Sequence, residues 1–279
     1  MSITEPGLYD IPEADYHADA DVSPDLGRPL SYSGAKTLLV SPARFAWERE
    51  HGRPAKRTYD LGSLVHTLIL GSKDDRITVV DAYDWRTKAA QAAKTEAYAA
   101  GRIPVHRGDL LAASKVAAAV RRHPLASAIL REGRSEVSLY WVDTATGVTC
   151  RGRIDWLSPL AIVDVKTVSS YGGCEPAAFA RAAAGFDYPM QAAAYTEGYE
   201  AVTGRLLDFV TIAVEMEPPH FVSVTRYPAS AVAAGAEKWH RALAVYAARE
   251  SSGEWADPPA ITTLPIPAWY GRTYPEETE

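Results

Sequence analysis

The sequence predicts an α/β protein in which a mixed central β-sheet is flanked by helices. Three apolar or alternating segments follow one another, separated by the short turn sequences TATG and SPL. We assign them as strands at about 136–142, 148–156 and 161–166. Two further alternating segments, at 206–215 and 221–226, extend the sheet, and segments with helical spacing stand before and after the three strands.

The helices are predicted from their start and stop signals. Ser33 can cap a helix that runs toward Val40, and Pro42 opens a short helix over 43–50. An apolar helix at 61–72 closes at Gly71, the residue type expected just past a helix end. Helical spacing also predicts two alanine-rich helices within 86–122, joined by a loop near 101–108, and further helices at 189–204 and 229–249.

We expect the 279 residues to form a single domain with two less regular ends. Residues 1–30 are rich in Pro and Asp and show little periodicity, which predicts an irregular arm that packs through Tyr9 and Tyr16. The segment 252–279 contains five prolines, which predicts an extended tail.

Composition places the chain among ordinary globular proteins. Hydrophobic residues make up 47% and charged residues 23% of the sequence, enough apolar material to bury a core. No stretch approaches the roughly 20 apolar residues of a membrane span, and the N-terminus lacks the basic-then-apolar order of a signal peptide. We therefore expect a cytoplasmic location and no membrane partner.

The most informative segment is RGRIDWLSPLAIVDVKT, which spans 151–167. It sets Asp155 ahead of the triplet Asp164, Val165, Lys166 on a predicted β-hairpin. Asp164 and Lys166 are two residues apart and share one face of a strand. The two carboxylates and the Val165 carbonyl are the oxygen ligands that Mg²⁺ prefers, and Lys166 could orient or help deprotonate the attacking water and offset phosphoryl charge. A solvated pair on an edge strand would give the same short pattern.

Four other polar residues accompany this pattern. His66 lies inside the predicted apolar helix, Glu136 begins a predicted strand, and Gln191 and Tyr195 are four apart and share a helix face. Each taken alone is also compatible with a structural role, as a core histidine, a charged strand end or helix-surface residues.

Taken in order, GSLVH, the strand glutamate, GRID, DVK and QAAAY resemble the RecB-like branch of the PD-(D/E)XK nuclease superfamily. Within that branch the chain is similar to the nuclease domains of RecE-like exonuclease VIII proteins of phages and prophages. GLYDIPEADYH and SYSGAKTLLVSPARFAWE resemble the lead-in of that family, and LPIPAW resembles its C-terminal signature. The resemblance implies a PD-(D/E)XK restriction-endonuclease-like core.

The resemblance also implies residue roles. His66, Asp155, Asp164 and Val165 would be metal ligands, and Glu136 would be an acidic residue of the same site. Lys166 would be the catalytic lysine, and Gln191 and Tyr195 would contact DNA or order the site. Many relatives carry glutamate where this chain has Asp164, which offers the same oxygens on a shorter side chain.

The cysteine count bears on one branch of that family. Some relatives, including Cas4-like nucleases, hold an iron–sulfur cluster with four cysteines, whereas this chain has Cys150 and Cys174. We therefore expect no iron–sulfur cluster. Free thiols are favoured over a disulfide in a reducing cytoplasm.

The net charge of −6 is unusual for a DNA-binding protein. Bound cations can neutralise the carboxylates of a metal-dependent nuclease, so basic residues need only line its channel. Basic clusters occur near Arg53, at Arg121 and Arg122, and at Arg151 and Arg153, of which Arg153 is the best candidate for a DNA contact.

By resemblance, the expected function is an exodeoxyribonuclease that uses Mg²⁺ or Mn²⁺. It would degrade linear double-stranded DNA from the 5′ end and leave 3′ single strands for a RecT-like annealing recombinase. Such relatives form rings, which implies a homo-oligomer, a tetrameric ring. The alternatives are a Cas4-like single-strand or flap nuclease and a catalytically silent DNA-binding module of the same fold.

Overall fold

The fold was analysed in a computed structural model that describes residues 3–18, 22–52, 57–72, 77–169, 173–257 and 263. In chain order its elements are β1 (Gly7–Tyr9), α1 (Glu13–Ala18), a 3₁₀ turn (Pro24–Leu26), β2 (Leu30–Ser31), α2 (Tyr32–Val40), α3 (Pro42–His51), α4 (Arg57–Leu70), β3 (Ile77–Val80), α5 (Lys88–Ala99), β4 (Ile103–His106), α6 (Arg107–Arg122), α7 (Pro124–Ile129), β5 (Arg134–Val142), β6 (Thr149–Leu157), β7 (Ala161–Val168), α8 (Pro176–Gly185), α9 (Tyr188–Thr203), β8 (Asp208–Glu215), β9 (Val222–Thr225) and α10 (Ala229–Ser252).

The main sheet is mixed, as the sequence predicts. Its strand order is β1-β5-β6-β7-β8-β9, with β2 beside β6. β5, β6 and β7 form an antiparallel meander, whereas β7 and β8 run parallel. Parallel neighbours need a long connection, and α8 and α9 provide it. One core cluster joins the sheet to α2, α9 and α10, and a second joins its other face to α4 and α6.

The predicted helices are confirmed, with one correction to a cap. α4 ends where Gly71 adopts a φ of +65°, a backbone conformation that glycine reaches without strain. The cap of α2 is Ser31, whose hydroxyl accepts the N–H of Gly34 at 3.1 Å. Ser33, the predicted cap, lies inside the first turn, because β2 delivers the chain to the helix two residues earlier than expected.

The N-terminal segment is more regular than its composition predicts. β1 pairs antiparallel with β5 at the edge of the main sheet, and α1 follows it. Tyr9 and Tyr16 do pack as predicted, edge-on to Tyr140 with ring centroids 5.9 and 6.3 Å away. Pairing with a distant strand supplies the order that local periodicity does not reveal.

Two further predictions need comment. The loop predicted near 101–108 contains β4, which pairs in parallel with β3 to form a second, small sheet. Of the tail predicted over 252–279, the stretch from 258 onward, including the LPIPAW motif, lies outside the described residues apart from residue 263. None of the helices in the described ranges has the length and apolarity that crossing a membrane requires.

β6 and β7 separate partway along their length. Their register pairs Trp156 with Val163 and Leu157 with Ile162, next to the turn that joins them. On the same edge of β6, β2 pairs with Cys150 and its neighbour Arg151. Across the described residues, 152–155 of β6 therefore has no neighbouring strand on this edge. This gap in the sheet is where the predicted site residues lie.

Candidate active site

Asp155 occupies the point where β6 and β7 separate. One of its carboxylate oxygens, Oδ2, accepts the backbone N–H of Val165 at 2.7 Å, a bond that replaces the missing ladder contact. Nδ1 of His66, on α4, lies 3.6 Å from the same oxygen. Asp155 thus connects strand β7 to the histidine of the apolar helix.

Glu136 lies across from Asp155 on β5. The register pairs Ser135 with Trp156 and Val137 with Ile154, so Glu136 is the residue between them. It has a φ of +55°, a left-handed conformation that is uncommon for a residue with a side chain. Such a distortion of the backbone changes the direction of a side chain. Here it occurs at Glu136, whose carboxylate lies across the strand pair from that of Asp155.

Asp164, Lys166 and Gln191 form a second group. The Lys166 ammonium lies 2.9 and 2.7 Å from the two carboxylate oxygens of Asp164. Gln191, buried on α9, donates to Asp164 at 2.7 Å and accepts from Lys166 at 3.2 Å. The ammonium also lies 4.7 Å from the ring centroid of Tyr188. The lysine is therefore fixed by an acid, an amide and an aromatic face.

The two groups lie on the two strands that separate, with Asp155 on β6 and Asp164 and Lys166 on β7. Asp164 is two residues after Ile162, which belongs to the core cluster that contains α9, so Asp164 is directed toward that helix. On β6, Ile154 belongs to the α9 cluster and Trp156 packs against the α4 cluster, so the alternation of side chains is interrupted at Asp155. The structure therefore brings Glu136, His66 and Asp155 together, and Asp164, Lys166 and Gln191 together, with the gap between β6 and β7 joining the two groups.

Burial and like charges shape the protonation of the acids. Burial, followed by the charge of Asp164, raises the pKa of Asp155 from 3.8 to about 7. Burial, followed by the charge of Asp155, raises the pKa of Glu136 above its ordinary value. The fold therefore holds these carboxylates where their negative charge is disfavoured, a situation that a bound cation relieves.

The two basic groups respond in opposite directions. Burial lowers the pKa of His66, and the charge of Lys166 acts in the same direction, so the imidazole is neutral and able to ligate a metal. Burial alone would lower the pKa of Lys166, but Asp164 and Asp155 outweigh it, and the net shift is upward. Lys166 is thus an ammonium ion at neutral pH and provides positive charge rather than accepting a proton.

Arg153 and Tyr195 contact neighbouring protein groups. The Arg153 guanidinium donates to Glu136 at 2.8 Å, to Ser138 at 2.8 Å and to the carbonyl of Ile11 at 3.1 Å. The Tyr195 hydroxyl accepts the backbone N–H of Arg153 at 3.2 Å. With its side chain 14% exposed, Arg153 is placed to position Glu136. Gln191 and Tyr195 are likewise buried, which favours an ordering role for both.

The packing around Gly152 explains why the GRID motif contains a glycine. A Cβ added at this residue would lie 2.7 Å from the ring of Tyr195, well inside van der Waals contact. The missing side chain therefore lets the tyrosine of α9 lie against β6 and reach the N–H of Arg153.

A cleft of about 300 Å³ opens beside these groups. His66, Glu136, Asp155 and Arg153 line it, together with six residues to which the sequence assigned no role in the site: Glu13, Tyr16, His17, Ser31, Tyr32 and Ser33. These six lie in the two segments that resemble the lead-in of the family, and they reach the site through the pairing of β1 and β2 with the main sheet.

The donor groups suit a hard divalent cation. They include two aspartates on separated strands and a neutral histidine. Oδ2 of Asp164 is buried and forms no hydrogen bond of good geometry, although the Lys166 ammonium lies 2.7 Å from it. As the side chains stand, no three His, Cys, Asp or Glu side chains among the described residues form a group that could hold a metal ion. Binding of one ion by three of these side chains therefore requires at least one of them to reorient.

Both cysteines are buried and free. Cys150 lies on β6 among core residues, and Cys174 precedes α8. This agrees with the prediction of free thiols.

Comparison with known proteins supports the fold. The family model described as "PDDEXK-like domain of unknown function (DUF3799)" matches residues 31–258. The solved structure described as "Putative exonuclease" from Eubacterium rectale is 16% identical, with a TM-score of 0.62, over 95% of this chain and 99% of that chain. The structure of SSO0001 is 12% identical over 67% of this chain and 85% of that chain, with a TM-score of 0.30 that supports no conclusion. Comparison with curated proteins gives no match.

Proposed function

The chain belongs to the PDDEXK-like domain family, and on that premise we propose that it is a divalent-metal-dependent nuclease that hydrolyses phosphodiesters of DNA. One observation carries the proposal. Asp155, Asp164 and Lys166 meet where β6 and β7 separate, with His66 and Glu136 beside them. Buried acids whose negative charge is disfavoured suit a site that binds a cation, and an ammonium ion held in place suits a site that binds a phosphate.

The metal ligands in this proposal are His66, Asp155, Asp164 and the carbonyl of Val165. PD-(D/E)XK nucleases generally use divalent metals, and we propose Mg²⁺ or Mn²⁺ here. When bound, such an ion lowers the pKa of a water and offsets the charge of a phosphate. Glu136, held by Arg153, adds an acidic group to the same site.

Lys166 supplies a fixed positive charge in the proposed reaction. Its ammonium is held by Asp164 and Gln191, so it can stabilise negative charge that develops on the phosphoryl oxygens without moving. Because nearby acids raise its pKa, it is poorly suited to deprotonate water. Gln191 positions both the lysine and Asp164 and, being buried, acts through them.

We propose further that the substrate is linear double-stranded DNA, cut from the 5′ end to leave 3′ single strands for a RecT-like annealing recombinase. The five motifs in RecE-like order support this proposal. The likeness to the "Putative exonuclease" structure supports only its exonuclease part. A homo-oligomeric ring, a tetramer, belongs to the same proposal and rests on the same resemblance.

The test is digestion of a linear duplex labelled separately at its 5′ and 3′ ends, with Mg²⁺ or EDTA, beside a closed-circular duplex. We expect release of the 5′ label from linear DNA, no cutting of the circle, and no activity in EDTA. Lys166→Ala and Asp155→Ala should each lose at least about 100-fold in rate. Asp208→Asn, which changes an aspartate whose side chain is 63% exposed on β8, is the matched control and should keep its rate.

Each other outcome changes the proposal in a defined way. Cutting of the circle or of single-stranded flaps would assign a Cas4-like activity instead. DNA binding without cutting under Mg²⁺ or Mn²⁺ would assign a silent binding module. Wild-type rates in Lys166→Ala would show that the site assignment is wrong.

A further inference from the structure

An exposed aromatic ring stands beside the lysine of the site. Phe186 lies at the corner between α8 and α9, and 55% of the residue is exposed. Its ring stacks on Tyr188, with centroids 5.6 Å apart and planes 20° apart. The ring of Tyr188 lies 4.7 Å from the Lys166 ammonium. Two ring contacts therefore lead from Lys166 to an aromatic residue that is more than half exposed.

The corner that presents this ring is held by side chains from other elements. The Tyr32 hydroxyl, on α2, donates to the carbonyl of Phe186 at 2.6 Å and to that of Asp187 at 3.0 Å. Lys36 donates to the carbonyl of Phe186 at 2.7 Å. Asp187 has a φ of +56°, a strained conformation, and pairs with Lys238 on α10. These contacts fix the backbone and so limit the orientations that the exposed ring can adopt.

Tyr32 also connects this corner to the cleft. Its side chain lines the cleft that contains His66 and Asp155, while its hydroxyl bonds the corner of Phe186. A strand that leaves the cleft past Tyr32 would therefore reach the corner that carries the Phe186 ring.

We propose that Phe186 is the platform on which the nucleobase next to the scissile phosphate stacks, so that the cut strand is unpaired at that base. The inference rests on the proposed nuclease function. Every base has a π-face, and stacking on an aromatic side chain is tolerant of sequence. The Lys36 ammonium lies 5.9 Å from the Phe186 ring centroid and adds positive charge where the next phosphate of the strand would lie.

This placement narrows the class of substrate. A base inside a duplex is stacked on both sides, so it can lie against Phe186 only after it leaves the stack, whereas the terminal base pair offers its outer face alone. Ends with a few mismatched or unpaired bases should therefore be cut faster than fully paired blunt ends. The difference should shrink when the ring is removed.

The test uses wild type, Phe186→Leu and Phe186→Trp, with Leu206→Ala as the matched control. Leu keeps apolar bulk without a π-face, whereas Trp keeps the π-face. Leu206 is 71% exposed and precedes β8, near the end of the sheet where Ala161 pairs with Asp208, away from Lys166. Binding is followed by 2-aminopurine placed at each of the last few bases, with Ca²⁺ replacing Mg²⁺ under conditions first checked to be free of cleavage. Cleavage rates are measured in Mg²⁺.

We expect one 2-aminopurine position to be quenched by wild type and by Phe186→Trp but not by Phe186→Leu. Phe186→Leu should weaken binding by about 5-fold to 100-fold, and Leu206→Ala should match wild type. If wild type cuts DNA and Phe186→Leu quenches and binds equally well, the stacking inference is overturned and the nuclease proposal stands. If wild type neither binds nor cuts DNA, both are overturned.

Discussion

Replacing Asp155 by asparagine should stabilise the protein when divalent cations are absent and the pH is high. Asparagine keeps an oxygen that can accept the N–H of Val165, as Oδ2 of Asp155 does at 2.7 Å. It removes a negative charge that burial and the charge of Asp164 disfavour. The structure thus predicts that a residue of the proposed active site reduces the free energy of unfolding.

The magnitude follows from the pKa of Asp155, which is 3.8 in an unfolded chain and about 7 in the fold. Between these values the folded state binds more protons than the unfolded state, so the unfolding free energy falls as pH rises. The full difference, reached above pH 7, corresponds to about 4 kcal/mol. Because 16% of the carboxylate is exposed, we expect about 2 to 4 kcal/mol.

The assay is urea unfolding in EDTA at pH 5 and pH 8. Asp155→Asn should be more stable than wild type at pH 8 by the full difference and at pH 5 by roughly a third of it, because at pH 5 the folded wild type keeps a proton that the unfolded chain has already lost. Asp208→Asn, at an exposed position, should show no such pH-dependent gain. Adding Mg²⁺ at pH 8 should stabilise wild type more than Asp155→Asn, because binding to the folded state adds to stability. An Asp155→Asn variant less stable than wild type at pH 8 in EDTA would refute the reasoning.

Two further predictions concern the contacts that order the site. Gly152→Ala places a Cβ 2.7 Å from the Tyr195 ring and should cost about 1 to 3 kcal/mol in thermal or urea unfolding; an unchanged melting temperature would contradict the packing described for this pair. Arg153→Met leaves the Glu136 carboxylate, whose side chain is 23% exposed, without its 2.8 Å partner and should cost about 3 kcal/mol. Adding Glu136→Gln to Arg153→Met should recover at least about 1 kcal/mol, and strict additivity of the two changes would mean that the ion pair contributes nothing.

Local signals in the sequence are sufficient for the meander and the long helices. Turn-forming residues correctly predict the turns that join β5, β6 and β7. Gly71 likewise correctly predicts the end of α4. The spacing of Asp164 and Lys166 also correctly predicts a shared strand face, because that depends on the period of a strand alone.

The pairing of segments that are distant in sequence could not be predicted from local sequence patterns. Nothing near Gly7 or Leu30 indicates that three-residue and two-residue strands join the main sheet, since such short segments gain their order from the partner strand. The same holds for Glu136, whose left-handed backbone depends on the strand beside it. The interruption of side-chain alternation at Asp155 also occurs where β6 and β7 separate, which no motif records.

The separation of β6 and β7 has a mechanical consequence. The strands of the sheet fall into two groups, which we call plates. One plate contains β1, β5, β6 and β2, and the other contains β7, β8 and β9. They join near the turn that the Ser158 hydroxyl braces by accepting the N–H groups of Leu160 and Ala161. Bending at this hinge changes the width of the gap without breaking a ladder within either plate. The first core cluster contains residues of both plates, so the resistance to opening or narrowing the site comes from the packing of the sheet against its helices.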